Sequence, residues 1–320
     1  MTSIQAMAVE AYGPLSQLAA KSIALRDPAR GEVRVRVAAS AVNPADFKVL
    51  LGQMKFLHGR RFPLVVGYDF SGVIDAIGPG VADFAVGHAV FGFLPYGPFN
   101  QAGAFAEALI AKTSELALKP PGMTHEQAAA VATPGATALQ ALRDLGRLQT
   151  GQRVLITGIS GGVGSVAVSV ARRLGAHVTG VGSGAGLALA QRLGAEHVVD
   201  RKKGDVFALS GEPFDLMFDA AAAYSWRQWK PHLRPGGTYV TTLPSISFVV
   251  DKLASLVSRS RTALIMVKSR PEDLRTLAGW AESGLEVTVD RVVPLSRVAE
   301  AIGALERGGV VGRIVIDVRG

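Results

Sequence analysis

Val154-Leu155-Ile156-Thr157-Gly158-Ile159-Ser160-Gly161-Gly162-Val163-Gly164 is an apolar run that breaks into glycines, and residues 165–174 behind it have helical texture. A strand that turns through glycines into a helix is the setting in which proteins hold the pyrophosphate of a dinucleotide. Glycine lets the turn be tight and the main chain come close, while the new helix offers unpaired N–H groups and the positive end of its dipole. The spacing is Gly-x-x-Gly-x-x-Gly, not the commoner Gly-x-Gly-x-x-Gly, so the placement between strand and helix carries the inference more than the pattern does. Gly158, Ser160, Gly161, Gly162 and Val163 are the expected anion-holding positions.

The end of the next strand bears on the choice of nicotinamide cofactor. NAD enzymes place an acid there, about 20 residues beyond the glycines, to grip the ribose hydroxyls. This chain has Gly180-Val181-Gly182-Ser183-Gly184-Ala185, with no acid to repel a 2′-phosphate. Ser183 can hydrogen-bond that phosphate, and Arg201, just after the third strand, can pair with it through its guanidinium fork. The expected cofactor is NADPH (NADP when oxidised). An ordinary surface charge is the alternative reading of Arg201.

On either side of the glycine turn, helix and strand alternate. A helix from residue 125 to 148 precedes strand 154–157, and a helix to 174 leads to strand 177–181, after which strands are expected at 196–200, 215–219, 237–241 and 262–267. That rhythm predicts a parallel doubly wound sheet. Earlier in the chain, β-rich segments 33–37, 72–77, 89–92 and 105–110 alternate with Pro- and Gly-containing turns, which predicts a compact barrel-like β domain. Past residue 285 the chain turns β-like again, with a helix at 296–307 and a closing strand at 313–318 that are expected to return to the first domain. The fold class is thus expected to be α/β, divided into 1–125, 126–270 and 271–320.

Composition narrows the chemistry. With 320 residues, 48% of them apolar and 19% charged, the chain is long enough for two cored domains. Residues 1–13 lack the basic start and sustained apolar run of a signal peptide, so a cytoplasmic location is expected. The uncharged stretch 127–142 contains Pro134 and Gly135 and is shorter than a membrane span. With no cysteine, thiolate zinc sites, disulfides, iron–sulfur ligation and cysteine nucleophiles are excluded. The net charge of +8 permits an anionic partner, but no run of five like charges occurs, and a solvated surface accounts for it.

Further motifs come in order along the chain: Asn43-Pro44-Ala45-Asp46-Phe47-Lys48, Gly67-Tyr68-Asp69-Phe70-Ser71-Gly72-Val73, Gly78-Pro79-Gly80-Val81 leading to Phe84 and Gly87, and Gly103-Ala104-Phe105-Ala106-Glu107. After the glycine turn follow Leu193-Gly194-Ala195 and Gly312-Arg313-Ile314-Val315. Together they resemble the zinc-free quinone oxidoreductase and enone (oxoene) reductase branch of the medium-chain dehydrogenase/reductase superfamily, over nearly the whole chain. The resemblance implies a GroES-like catalytic domain, a Rossmann domain and an active site in the cleft between them. Zinc-dependent members surround the metal with a cysteine, a His-Glu pair and a second cysteine. Asn43, Tyr68-Asp69 and Thr133 stand at the matching places here, which implies that catalytic zinc is lost. Without a Lewis acid, alcohol oxidation is disfavoured. Reduction of a conjugated electrophile needs mainly a positioned hydride and a proton source.

By the same resemblance Asn43 and Lys48 lie beside the nicotinamide as catalytic candidates, with Asn43 contacting its ribose or amide. Lys48 either stabilises negative charge on the substrate oxygen and helps deliver a proton, or merely anchors the cofactor. It stands where quinone reductases often have tyrosine and many enone reductases have lysine, which favours enones. Tyr68 is a candidate pocket hydroxyl, with packing as its alternative. Asp46 and Asp69 read as structural acids, and His88 as a turn residue. Thr133, Thr137, Gly182, Ala220, Leu243 and Arg313 complete the expected cofactor contacts. Two departures stand out: Gly186 occupies the place of a lysine common in NADPH-preferring members, and Arg201 that of a tyrosine. The phosphate grip then rests on Ser183 and Arg201.

Phe248, Val249, Leu253, Leu256 and Val257 form an apolar stripe at helical spacing, read as a pocket flap or a dimer element. In the family a strand such as 262–267 pairs across a two-fold axis, so a homodimer is expected. The partners foreseen are a small enone or quinone and no membrane. The competing class is an NADPH-binding recognition protein, for example one that binds RNA, which the charge permits and the lack of clustered basic runs weakens.

Overall fold

The computed structural model describes residues 2–55, 62–95, 103–209 and 211–319, without the side chains of residues 246 and 247. The chain divides into two compact units. The first comprises Met1–Thr133, Lys268–Gly284 and Val289–Gly320, and the second comprises Pro134–Val267 and Leu285–Thr288.

In the first unit, strands β1 (Thr2–Val9), β2 (Ala19–Leu25), β3 (Glu32–Ala41) and helix α1 (Pro44–Leu50) come first. Strands β4 (Leu64–Val65), β5 (Asp69–Ile77), β6 (Ala89–Phe93), β7 (Ala108–Lys112) and β8 (Leu116–Leu118) follow, and helix α2 (His125–Leu139) leads out of the unit. β1 pairs with β2 and β4 in a small antiparallel sheet. β3 shows why the rest closes on a core: Val33, Val35 and Val37 are buried, while Arg34 and Arg36 alternate with them toward the other face. From Ala38 to Ala41 the residues are small and buried, flanked by β5 on one side and the closing strand of the chain on the other. Phe70, Ile74, Val90, Leu109 and Leu116 fill the interior. β3, β5 and β6 extend the expected segments 33–37, 72–77 and 89–92, β7 is shifted along the chain from the expected 105–110, and β1, β2, β4 and β8 were not foreseen.

The second unit holds strands β9 (Arg153–Thr157), β10 (His177–Gly182), β11 (His197–Asp200), β12 (Phe214–Asp219), β13 (Leu233–Thr241) and β14 (Arg261–Leu264). Its helices are α3 (Gly162–Arg173), α4 (Ala185–Arg192), the short α5 (Trp226–Trp229) and α6 (Ile246–Ser255). The strands form one parallel sheet in the order β11-β10-β9-β12-β13-β14. This is the expected doubly wound sheet, and its order reverses at β9, whose Val154, Leu155 and Ile156 are wholly buried. Ligands of such sheets bind beyond the carboxyl ends of the strands at that reversal, and the glycine turn follows β9 there.

The chain then forms α7 (Pro271–Glu282), β15 (Val289–Pro294), α8 (Val298–Arg307) and β16 (Arg313–Asp317) in the first unit. β16 pairs antiparallel with β3 and parallel with β15. Several of these elements differ from expectation. The helix foreseen to 148 leaves its regular form after Leu139 and continues as wider π-type turns over Gln140–Leu145. α7 was not foreseen, although Pro271 at its first position and Glu272 and Asp273 in its first turn are start signals. The expected boundary at 125 is the first residue of α2, whereas the compact units divide within that helix, after Thr133. The apolar stripe runs along α6 and past its end, and Val249, Leu253, Leu256 and Val257 in it are exposed.

Candidate active site

The glycine turn has the backbone geometry that an anion cradle needs. Gly158 has φ +67°, a left-handed conformation, and an added Cβ there would lie 3.0 Å from the Cβ of Ala221. Gly164 faces the turn itself, where a Cβ would come 2.2 Å from the Gly158 carbonyl oxygen, so α3 packs against the turn only because this residue has no side chain. Gly161 is the N-cap of α3; no side chain caps the helix and its first turn contains no acid. The amides at the start of α3 are thus left for a ligand. Ser160, Gly161, Gly162 and Val163 are all partly exposed. The residues present fit a pyrophosphate.

The neighbouring strand ends converge on the same edge. Gly182 ends β10 opposite Asp200, the last residue of β11. Arg201 then donates its main-chain N–H to the Gly182 carbonyl at 2.9 Å. Ser183 is half-buried, and the exposed Arg201 makes no side-chain ion pair among the described residues. Gly186 is required here: an added Cβ would lie 2.4 Å from that of Ser160, so a lysine at this place is incompatible with the turn.

A network that sequence reasoning missed fixes the ends of β9, β12 and β13. The Thr157 hydroxyl donates to Asp219 Oδ1 at 2.5 Å, and the Tyr224 N–H donates to Oδ2 at 2.9 Å. The Tyr239 hydroxyl lies 2.8 Å from Asp219 Oδ2 and 2.7 Å from the Tyr224 carbonyl. Burial, together with the Asp219 charge, drives the Tyr239 phenol upward, so it stays a neutral donor. The available signal was a polar residue at the carboxyl end of two adjacent strands. Ala220 follows Asp219 and accepts from the Thr242 hydroxyl at 3.4 Å, and Leu243 is exposed beyond β13. Tyr224 and Tyr239 border a cavity of about 280 Å³ in this unit, lined also by Gln228, Leu243 and Phe248, and Asp219 is bonded to the Tyr239 hydroxyl.

In the first unit Asn43, Asp69, Arg313 and Thr133 come together in the interior. Asn43 donates through Nδ2 to Asp69 at 2.9 Å and to the Ala41 carbonyl at 3.3 Å, and accepts at Oδ1 from Arg313 at 3.0 Å. The second arm of Arg313 donates to Asp69 Oδ2 at 2.5 Å, and the Thr133 N–H to Asp69 Oδ1 at 2.8 Å. Burial pushes the Asp69 carboxyl upward, and Arg313, Thr133 and Asn43 pull it back. Every polar atom of the Asn43 side chain is therefore used within the chain. Arg313, expected among the cofactor contacts, is the buried counter-ion of Asp69. Its fork is committed to two neighbours and its side chain is 5% exposed. Tyr68 is also buried, within the core of the unit.

Lys48 differs from these. It is half-buried on α1, and its side chain makes no hydrogen bond or ion pair among the described residues. Thr133 and Thr137, one turn apart on α2, are both buried. The donors at Asn43, Tyr68, Asp69 and Thr133 do not fit a zinc ion: there is no thiolate or imidazole, and the oxygens of Asn43 and Asp69 already face a guanidinium. No cluster of three or more His, Cys, Asp or Glu suited to a metal occurs among the described residues.

Comparison with known proteins bears on both units. Residues 29–121 match the family described as alcohol dehydrogenase GroES-like domain, and residues 193–316 match that described as zinc-binding dehydrogenase. The chain is 32% identical to the mitochondrial NAD(P)H oxidoreductase RTN4IP1 of Bos taurus, over 90% of this chain and 82% of that protein. It is 28% identical to the chloroplastic quinone-oxidoreductase homolog of Spinacia oleracea, over 92% of each. The structure of the quinone oxidoreductase from Coxiella burnetii superposes with a TM-score of 0.91 at 26% identity, covering 99% of this chain and 100% of that one.

Proposed function

The chain belongs to the quinone oxidoreductase-like branch of the medium-chain dehydrogenase/reductase superfamily, and on that footing we propose that it is an NADPH-dependent reductase acting, without zinc, on a small α,β-unsaturated carbonyl or quinone. The names of its relatives support the NAD(P)H and quinone chemistry. The observation that carries the finer reading is Lys48, a half-buried ammonium with no acid partner among the described residues. An unneutralised cation of this kind suits a reaction in which a carbonyl oxygen gains negative charge.

The uncapped start of α3 would hold the pyrophosphate, and Ser183 with Arg201 the 2′-phosphate. When bound, the reduced nicotinamide supplies the hydride. Lys48 then meets the developing oxyanion and either stabilises it or passes it a proton, directly or through water. The Asn43, Asp69 and Arg313 cluster fixes the start of α1 and so the direction from which Lys48 acts.

A homodimer suits the edge of the second unit. β14 ends its sheet, paired on one side only, beside the exposed Leu253, Leu256, Val257 and Met266. A monomer mass by sedimentation rules the dimer out.

The enzymatic reading is tested by following NADPH loss against a panel of enones, quinones and aldehydes, with wild type and Lys48→Ala. Enones or quinones are expected to be turned over and Lys48→Ala to be slowed about 10²–10⁴-fold, the range of general acid–base contributions. Failure to reduce either class refutes the assignment.

A further inference from the structure

Asp46 plays no part in the chemistry above, yet it is completely buried two residues before Lys48 on the same short helix. Its Oδ2 accepts the Asn43 N–H at 2.6 Å, which folds the helix start back on itself. Its Oδ1 makes no well-formed hydrogen bond among the described residues, although the Gly67 N–H lies near the carboxyl.

The charged groups facing Asp46 are Asp69 from β5 and Arg313 from β16. Both terminal nitrogens of Arg313 are spent on Asn43 and Asp69, and its Nε has no partner among the described residues. Two buried carboxyls therefore share one cation whose bonds go to the other acid. α8, packed on α1, turns Val298, Ala301, Ile302 and Gly303 inward and leaves Glu300, Glu306 and Arg307 exposed, so it brings no compensating charge. Burial first, and then the Asp69 charge, raise the Asp46 carboxyl to about 7, against the opposing pull of the Asn43 N–H and Arg313. The neutral acid is the form this site accommodates.

We propose that Asp46 is a positioning residue whose loss of a proton to solvent loosens the first turn of α1 from the Asn43, Asp69 and Arg313 cluster and displaces Lys48. The ionised carboxylate adds a second negative charge beside Asp69, and moving the first turn toward water relieves both the repulsion and the desolvation. This rests on the reading of Lys48 as the residue that meets the substrate oxygen.

The test is the pH dependence of kcat and KM for the NADPH-loaded enzyme with a short enone, in wild type and Asp46→Asn. Asparagine keeps an acceptor for the Asn43 N–H and cannot ionise. Wild-type kcat is expected to fall several-fold as pH rises through 7 while KM for NADPH changes little, and Asp46→Asn to lack that fall. The same fall in Asp46→Asn, or none in wild type, overturns the proposal and leaves the role of Lys48 standing. Lys48→Ala turning over like wild type overturns that role instead. A second measurement needs neither turnover nor the variant: the rate at which an acylating reagent modifies Lys48 in the wild-type protein, followed across pH by peptide mass. An inflection near 7 below the amine's own titration upholds the coupling, and a single titration of the amine overturns it.

Discussion

Arg201 gives its main-chain N–H to the carbonyl of Gly182 at 2.9 Å, which ties the residue after β11 to the end of β10. The guanidinium is left exposed, and under the proposed function it meets the 2′-phosphate of NADPH. Charge-assisted hydrogen bonds contribute about 1.5–3 kcal/mol when sheltered, and less at an exposed site. Arg201→Ala is expected to raise KM for NADPH roughly tenfold and to leave KM for NADH almost unchanged. Equal effects on both nucleotides in steady-state assays would remove Arg201 from the phosphate grip.

Gly164→Ala forces a methyl group to within 2.2 Å of the Gly158 carbonyl. The contact is with backbone, which cannot swing aside, so α3 must shift and the anion cradle widens. A stability loss of about 1–3 kcal/mol is expected from overpacking of this kind, together with nucleotide binding weakened at least tenfold by calorimetric titration.

Arg313→Met leaves Asp69 as a buried charge without its cation. Removing one partner of a buried pair costs about 3–5 kcal/mol, whereas replacing both with neutral groups costs far less. The double variant Arg313→Met/Asp69→Asn is therefore expected to be more stable in urea than Arg313→Met alone. A double variant no more stable than the single one is the contrary result.

Asp46 sets a sign for the dependence of stability on pH. Its carboxyl rises from 3.8 to about 7 on folding. A raised acid favours folding when protonated, so its contribution is complete below about 3.8 and is lost as pH climbs through about 7. Across that window Asp46→Asn is expected to gain on wild type by roughly 4–5 kcal/mol, at about 1.4 kcal/mol for each pH unit of displacement. Parallel stability curves for the two proteins, from urea unfolding at successive pH values, would show that Asp46 does not titrate there.

Asp219→Ala removes the acceptor of Thr157 and of the Tyr224 N–H at once and leaves the buried Tyr239 hydroxyl with the Tyr224 carbonyl alone. Each buried polar group left unpaired costs about 1–3 kcal/mol. A loss of several kcal/mol is expected in denaturant unfolding, while Tyr239→Phe, which removes one donor and strands none, should lose under about 2 kcal/mol.

The Rossmann sheet was legible in residues 154–164 because its signals are local: an apolar strand, glycines and a helix start lie next to one another in the chain. Gly158 and Gly164 could be picked out there, and the absence of an acid at Ser183 could be read without coordinates. The lack of cysteine limited the metal chemistry in the same direct way. What the linear chain could not reveal was how side chains far apart in it are spent. Asn43 and Arg313 looked like equivalent cofactor contacts, yet they lie 270 residues apart and are bonded to each other and to Asp69 in the interior. The Thr157, Asp219 and Tyr239 network likewise exists only because three parallel strands end side by side. Whether a polar residue meets a ligand or a neighbour depends on which partners burial brings within hydrogen-bond reach, and that is a property of the packed chain.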